Sequence, residues 1–178
     1  MIAAIFDLDG TLYTGNIGRG ITRHHRTHRV KREAATAFAW IAEHYVQPLV
    51  RPDLMERVWS HQGAGHRVIL VSGTPAPLLA EIGRQLGIVE TVGTPLVLRS
   101  GRYTGACELP VCQGPGKVLR LEAHLEGDSI VRSHSYAYAD SHTDLPLLEW
   151  VGHAVAVYPD DELVTHAQSQ GWEIISMV

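Results

Sequence analysis

A chain of 178 residues is long enough for one domain with a substantial core and a small insertion, but too short for two full domains. Its 45% hydrophobic content is ordinary for a soluble globular protein; no segment has the unbroken apolar length that crosses a bilayer, and the apolar start runs into Asp7 without a basic region, which predicts a cytoplasmic protein rather than a secreted one. The net charge of −4 conceals a basic stretch, Arg19 to Arg32, that holds six Arg or Lys, three His and no acid.

The first element is the apolar run that ends in Ile5-Phe6-Asp7-Leu8-Asp9-Gly10-Thr11-Leu12. A run of this kind reads as a buried strand. Its two carboxylates, one residue apart, therefore emerge at the strand's C-terminal end, where open α/β sheets hold their ligand crevice. Acids held that close repel each other unless a cation sits between them, and a hard divalent ion, Mg²⁺ above all, is the usual partner. A calcium loop is excluded because Thr11 and Leu12 follow where ligands should stand. A dinucleotide fingerprint is excluded by the spacing of Gly10, Gly15, Gly18 and Gly20.

Residues from about 16 to 61 read mostly as helix, interrupted near Pro48 and Pro52, and have the character of an insertion. Arg67 to Val71 is a second strand with a hydroxyl-rich tip, Ser72-Gly73-Thr74. Pro75 to Leu86 has helical spacing through Leu78, Leu79, Ile82 and Leu86, and Gly87 closes it. Two short β-type runs around Ser100-Gly101 predict an antiparallel hairpin at the rim of the sheet. Gly116 to Leu125 returns to helix, and Ser135 to Ala139 is a strand that runs into Asp140. A helix (Leu145 to Trp150), a strand (His153 to Tyr158), a helix (Asp160 to Gln170) and a final strand (Trp172 to Ser176) complete the chain. Such alternation predicts a doubly wound α/β architecture, a mostly parallel sheet with helices on both faces. Cys107 and Cys112, as a lone C-x4-C, read as packing residues rather than a zinc site.

Four groups fall at or just beyond strand ends: Asp7 with Asp9, Ser72 with Gly73 and Thr74, Lys117, and Asp140 with Asp144. Parallel strands share one C-terminal edge, so these groups converge on one crevice. Together they supply what phosphoryl transfer needs. One carboxylate attacks phosphorus, a metal and a lysine neutralise the phosphoryl oxygens, and hydroxyl and backbone N–H groups orient them. A second carboxylate gives a proton to the leaving oxygen and later takes one from water. Taken singly, Lys117 reads as a solvated helix lysine and Ser72 as a turn serine. Asp140 and Asp144 taken alone read as an N-cap and first-turn acid of the helix at Leu145. The four groups in order carry the assignment. Gly114-Pro115-Gly116-Lys117 is not a nucleotide loop, because Val111 replaces its first glycine and Val118 its hydroxyl. His142 reads as a surface loop histidine.

These stretches resemble the haloacid dehalogenase superfamily, in its phosphoserine phosphatase-like branch. The resemblance rests on Phe6 to Leu12, Val71 to Thr74, Gly114 to Lys117 and Tyr138 to Leu148, with support from Leu86 to Gly105. It implies that Asp7 is a nucleophile that becomes an aspartyl phosphate and that Asp9 is the general acid/base. It further implies that the Asp7 carboxylate, the Asp9 backbone carbonyl and Asp140 hold Mg²⁺, with Asp144 in support. Ser72, Gly73, Thr74 and Lys117 would bind the phosphoryl group. An acid at position 9 argues for phosphate chemistry over carbon–halogen cleavage.

The resemblance divides the chain into an α/β core of residues 1–12 and 62–178 and a small helical cap of residues 13–61. The predicted activity is a Mg²⁺-dependent phosphomonoester hydrolase acting on a small phosphorylated metabolite. Phosphoserine is one candidate, although Tyr13 to Thr22 holds no acid to pair with its ammonium. A phosphotransferase or mutase, a nucleic-acid-end phosphatase and a phosphate-binding module without turnover remain alternatives. The acidic balance and the lack of interleaved aromatics argue against nucleic acid. The basic stretch reads equally as a lure for anionic substrate and as a solvated helix face. His24 and His28 stand at i, i+4 but lack a nearby acid for a metal site.

Overall fold

The computed structural model describes residues 1–15, 17 and 34–176. The predicted basic stretch, with His24 and His28, lies outside the described residues. Six parallel strands form the central sheet: β1 (Ala3–Phe6), β2 (Arg67–Pro75), β3 (Glu90–Thr94), β6 (Tyr136–Ala139), β7 (His153–Val157) and β8 (Glu173–Ile175). Their spatial order is β3-β2-β1-β6-β7-β8. The chain starts in the middle, winds outward through β2 and β3, and returns to the other side of β1 as β6. That reversal is the topological switch point, and it sets the C-terminal ends of β1 and β6 side by side around a crevice.

Strand periodicity explains the two layers of core. Ala4, Phe6, Val68, Leu70, Tyr138, Val155 and Val157 point to one face. They meet Ile41 of helix α1 (Ala34–Ile41), Ala42 and Val46 of a π-helical turn (Ala42–Val46), Leu54 and Val58 of α2 (Pro52–Gly63), and Leu78 and Ile82 of α3 (Ala76–Leu86). Ala3, Ile5, Ile69, Val71, Ala137, Ala139, Ala154 and Ala156 point to the other. They carry Leu121 of α4 (Pro115–His124), Leu147 and Leu148 of α5 (Leu145–Leu148) and Leu163 of α6 (Asp161–Gln170). The alanines on this second face let the helices approach closely. Each fully buried leucine on either side contributes about 1.5–3 kcal/mol. Among the described residues, no helix is long and apolar enough to cross a membrane.

The differences from the sequence reading are local. The second strand runs on through Ser72-Gly73-Thr74 to Pro75, and the following helix starts at Ala76. The hairpin forms as β4 (Leu96–Arg99) and β5 (Arg102–Cys107) with left-handed Ser100 and Gly101 between them, but it is a separate two-stranded sheet rather than part of the main rim. Phe38 of α1 lies against Tyr103 of β5, ring centroids 6.1 Å apart. Asp144 occupies the N-cap position of α5, yet its side chain caps nothing. It turns to Lys117 instead, because a buried carboxylate gains more from an ammonium than from a helix end. His142 stands on the surface beside Asp160 and Glu162.

The chain between Gln47 and Arg51 returns to the loop that follows β1. Thr14 N–H donates to the Leu49 carbonyl (2.9 Å), Arg51 N–H donates to the Leu12 carbonyl (3.0 Å), and Tyr13 bridges Val50.

Candidate active site

The strand ends build one cavity of about 410 Å³, lined by Asp7, Asp9, Ser72, Gly73, Thr74, Lys117, Asp140 and Asp144, with Ile17, Val111, Gln113, Ser141 and Thr143 around them. Every candidate side chain read from the sequence is in this one group. Asp7 follows β1 directly, and its N–H donates to the Tyr138 carbonyl of β6 at 2.9 Å, which locks the two strand ends together.

Lys117 enters from the first turn of α4. Close packing at the start of this helix depends on Gly116, since a Cβ there would stand 2.0 Å from the Val111 carbonyl oxygen. Lys117 is 4% exposed, and its Nζ donates to Asp7 Oδ1 and Asp144 Oδ2, each at 2.6 Å. Burial opposes its charge, but Asp7 and Asp144 outweigh it and hold the ammonium above its ordinary range.

Asp140 ends β6. Its Oδ1 accepts the Thr11 hydroxyl at 2.8 Å, and the Gly10 backbone lies so close that a Cβ would stand 2.1 Å from Oδ2. Gly10 also has φ +83°, so both the close approach and the backbone conformation require glycine. Arg51 Nη2 donates to the Gly10 carbonyl at 3.1 Å and fixes the same loop from the far side.

One ligand oxygen each from Asp7, Asp140 and Asp144 lie within 4.8 Å of one another. Burial, followed by the charge of Asp7, pushes both Asp140 and Asp144 above the usual carboxylate range. Lys117 pairs with two of these three carboxylates, Asp7 and Asp144, which leaves an excess of negative charge on an all-oxygen donor set. A hard divalent cation fits that chemistry.

Ser72 and Thr74 are buried at the tip of β2. The Thr74 N–H donates to Ser72 Oγ, and Ser72 Oγ donates to Thr74 Oγ1, both at 3.1 Å. Asp9 lines the same cavity. Tyr13 Oη and the Ile17 N–H both donate to its Oδ1, at 2.7 and 2.9 Å. Burial raises the Asp9 carboxyl above its ordinary value, against the lowering effect of the Tyr13 hydrogen bond.

Thr11, Tyr13, Ile17 and Arg51 were not among the residues read from the sequence as functional. Thr11 had a signal, a hydroxyl inside the first motif. Tyr13 and Ile17 carry no motif of their own, and Arg51 is 41 residues from the carbonyl that it holds.

The model of the haloacid dehalogenase-like hydrolases matches residues 25–149. A probable phosphatase of Mycobacterium tuberculosis is 35% identical over 131 residues, covering 74% of this chain and 45% of that protein. The phosphoserine phosphatase SerB1 of the same organism is 30% identical over 214 aligned positions, covering 97% of this chain and 70% of SerB1. The chain therefore spans about half the length of the first relative and most of the second. A crystal structure of a protein of unknown function from Bordetella pertussis Tohama I superimposes with TM-score 0.78 at 26% identity, covering 98% of this chain and 97% of that one. With the model match over more than half its length, this chain belongs to the haloacid dehalogenase-like hydrolases.

Proposed function

We propose that the protein is a Mg²⁺-dependent phosphomonoesterase that works through a phosphoryl group on Asp7. The observation that carries this reading is the Lys117 ammonium held 2.6 Å from both Asp7 and Asp144 at the floor of a cavity that also holds Asp9, Ser72 and Asp140.

In this reading, the free oxygen of Asp7 attacks phosphorus as the bond from phosphorus to the ester oxygen breaks. Asp9 passes its proton to the departing oxygen. Water then attacks the same phosphorus, Asp9 takes its proton, and inorganic phosphate leaves with the Asp7 carboxylate restored. Ser72 and the N–H groups after it orient the phosphoryl oxygens, and Lys117 offsets their charge. Asp7, Asp140 and the Asp9 backbone carbonyl would hold the ion, with Asp144 in support. When bound, Mg²⁺ supplies positive charge that stabilises the transferring phosphoryl group.

We assign residues 13–61 as the cap insertion, whose described part rejoins the loop after β1 through the Tyr13–Val50 bridge. Beyond the catalytic groups, the described rim holds Ile17, Val111, Gln113, Ser141 and Thr143. None of these is charged, so nothing in the described rim selects an amino-acid zwitterion. The substrate class is accordingly a small phosphomonoester, with phosphoserine as one member to test because SerB1 is a relative.

The test is phosphate release by the purified protein with Mg²⁺ across phosphorylated amino acids, sugars, nucleotides and lipid headgroups, without an added acceptor. Release is expected for the wild type, none for Asp7→Asn and a strong slowing for Asp9→Asn. Phosphoryl transfer that needs an alcohol acceptor would favour a transferase, and equal activity of all three proteins would contradict the assignment.

A further inference from the structure

The Asp9 carboxyl is gripped at one oxygen. Oδ1 accepts from Tyr13 Oη at 2.7 Å and from the Ile17 N–H at 2.9 Å, while Oδ2 has no hydrogen-bond partner among the described residues. Asp9 lines the cavity, so the ungripped oxygen is the one left for it.

The grip is rigid. Tyr13 is 0% exposed, its main chain bridges both Asp9 and Val50, and its carbonyl accepts the Gly10 N–H at 3.0 Å. The ring is enclosed on its edge as well: a Cβ at Gly15 would stand 2.3 Å from Tyr13 Cε2. Facing a carboxylate oxygen at 2.7 Å, the phenol is the donor of this bond.

We infer that Tyr13 is a positioning residue which, with the Ile17 N–H, fixes the Asp9 carboxyl so that Oδ2 alone exchanges protons with the leaving oxygen and with water. Two donors fill Oδ1, which leaves the acid proton to Oδ2. That proton moves to the ester oxygen as its bond to phosphorus breaks. Oδ2 then receives a proton from water as the new oxygen–phosphorus bond forms. The inference rests on Asp9 being the general acid/base of the proposed reaction. It adds a residue to that machinery from the loop contacting Val50.

The test compares kcat/KM of wild type and Tyr13→Phe on p-nitrophenyl phosphate and phenyl phosphate. These probes differ only in a para-nitro group, with which p-nitrophenolate leaves readily without a proton and without which phenolate does not. Misplacing the acid is expected to lower kcat/KM for phenyl phosphate by roughly tenfold or more and for p-nitrophenyl phosphate by less than about threefold. The ratio of the two values does not depend on how much of the variant is folded, so reduced stability does not blur the result. Equal losses on both probes, or no loss on either, would overturn the inference while leaving the proposed function intact. An Asp9→Asn control with wild-type turnover would remove the underlying reading along with it.

Discussion

Replacing Lys117 with Met keeps an unbranched side chain one atom shorter and removes the ammonium paired with Asp7 and Asp144. In the wild type this group is 4% exposed and donates to Asp7 and Asp144 at 2.6 Å each. Removing one partner of a buried ion pair costs about 3–5 kcal/mol, because the charge left behind has neither counter-ion nor water. Here two carboxylates lose their cation, but Asp144 is already raised and relieves part of the repulsion by taking up a proton. A net loss of about 3–4 kcal/mol follows, equal to a fall in melting temperature of about 6–16 °C for a domain of this length. Thermal and urea unfolding at neutral pH without metal measures it. The deficit should shrink as the pH falls, since protonating the stranded acids removes their repulsion. Phosphatase turnover should drop at least about a hundredfold, the scale for losing one preorganised charge-stabilising group. A variant that melts within about 2 °C of wild type at every pH would show that these ion pairs carry no weight, against the buried-pair cost just applied.

Lowering the pH should destabilise the protein through His61. Its ring is 8% exposed, with Nδ1 2.8 Å from His66 Nδ1 and Nε2 2.8 Å from Tyr138 Oη. Burial, and then the charges of His66 and Arg57, lower it from 6.5 to about 4. The unfolded chain therefore binds this proton more tightly, so stability is full above pH 6.5 and is lost as the pH falls from there to about 4, by up to about 3 kcal/mol. Urea unfolding of wild type and His61→Gln at pH 7 and 4.5 checks it: the variant should lose less on acidification, and parallel losses would refute the assignment. Saturating Mg²⁺ should raise the melting temperature of wild type by about 5–10 °C, from about 2.7 kcal/mol of linkage at a hundredfold excess over Kd. Asp140→Asn should abolish most of that shift, and an unchanged shift would place the ion elsewhere.

Where the sequence was legible, one physical pattern spoke without competition. The all-apolar run ending at Phe6 and the compact apolar run Val68 to Val71 had to be buried strands, and carboxylates or hydroxyls at their tips had to share an edge once the sheet was parallel. β3 was harder to read, because Glu-Thr-Val-Gly-Thr lacks a strand's apolar signature; its Gly93 is there for close packing, with a virtual Cβ 2.8 Å from Ala76 Cα. Asp144 shows local propensity overridden, since its N-cap position predicts a capping carboxylate and the buried Lys117 claims it instead. The contact of Arg51 with Gly10 depends on how the chain returns after residue 46, which no local spacing encodes, whereas that of Tyr13 with Asp9 spans only four residues and depends on the turn of the loop between them.

The central claim is that phosphorus passes through Asp7. Rapid acid quench of the protein turning over a phosphomonoester with Mg²⁺, followed by peptide mass mapping, tests it most directly. One phosphoryl group on the peptide that contains Asp7, absent from Asp7→Asn, is the result predicted here. Full turnover with the phosphoryl group on another residue, or undiminished turnover by Asp7→Asn, would contradict the account.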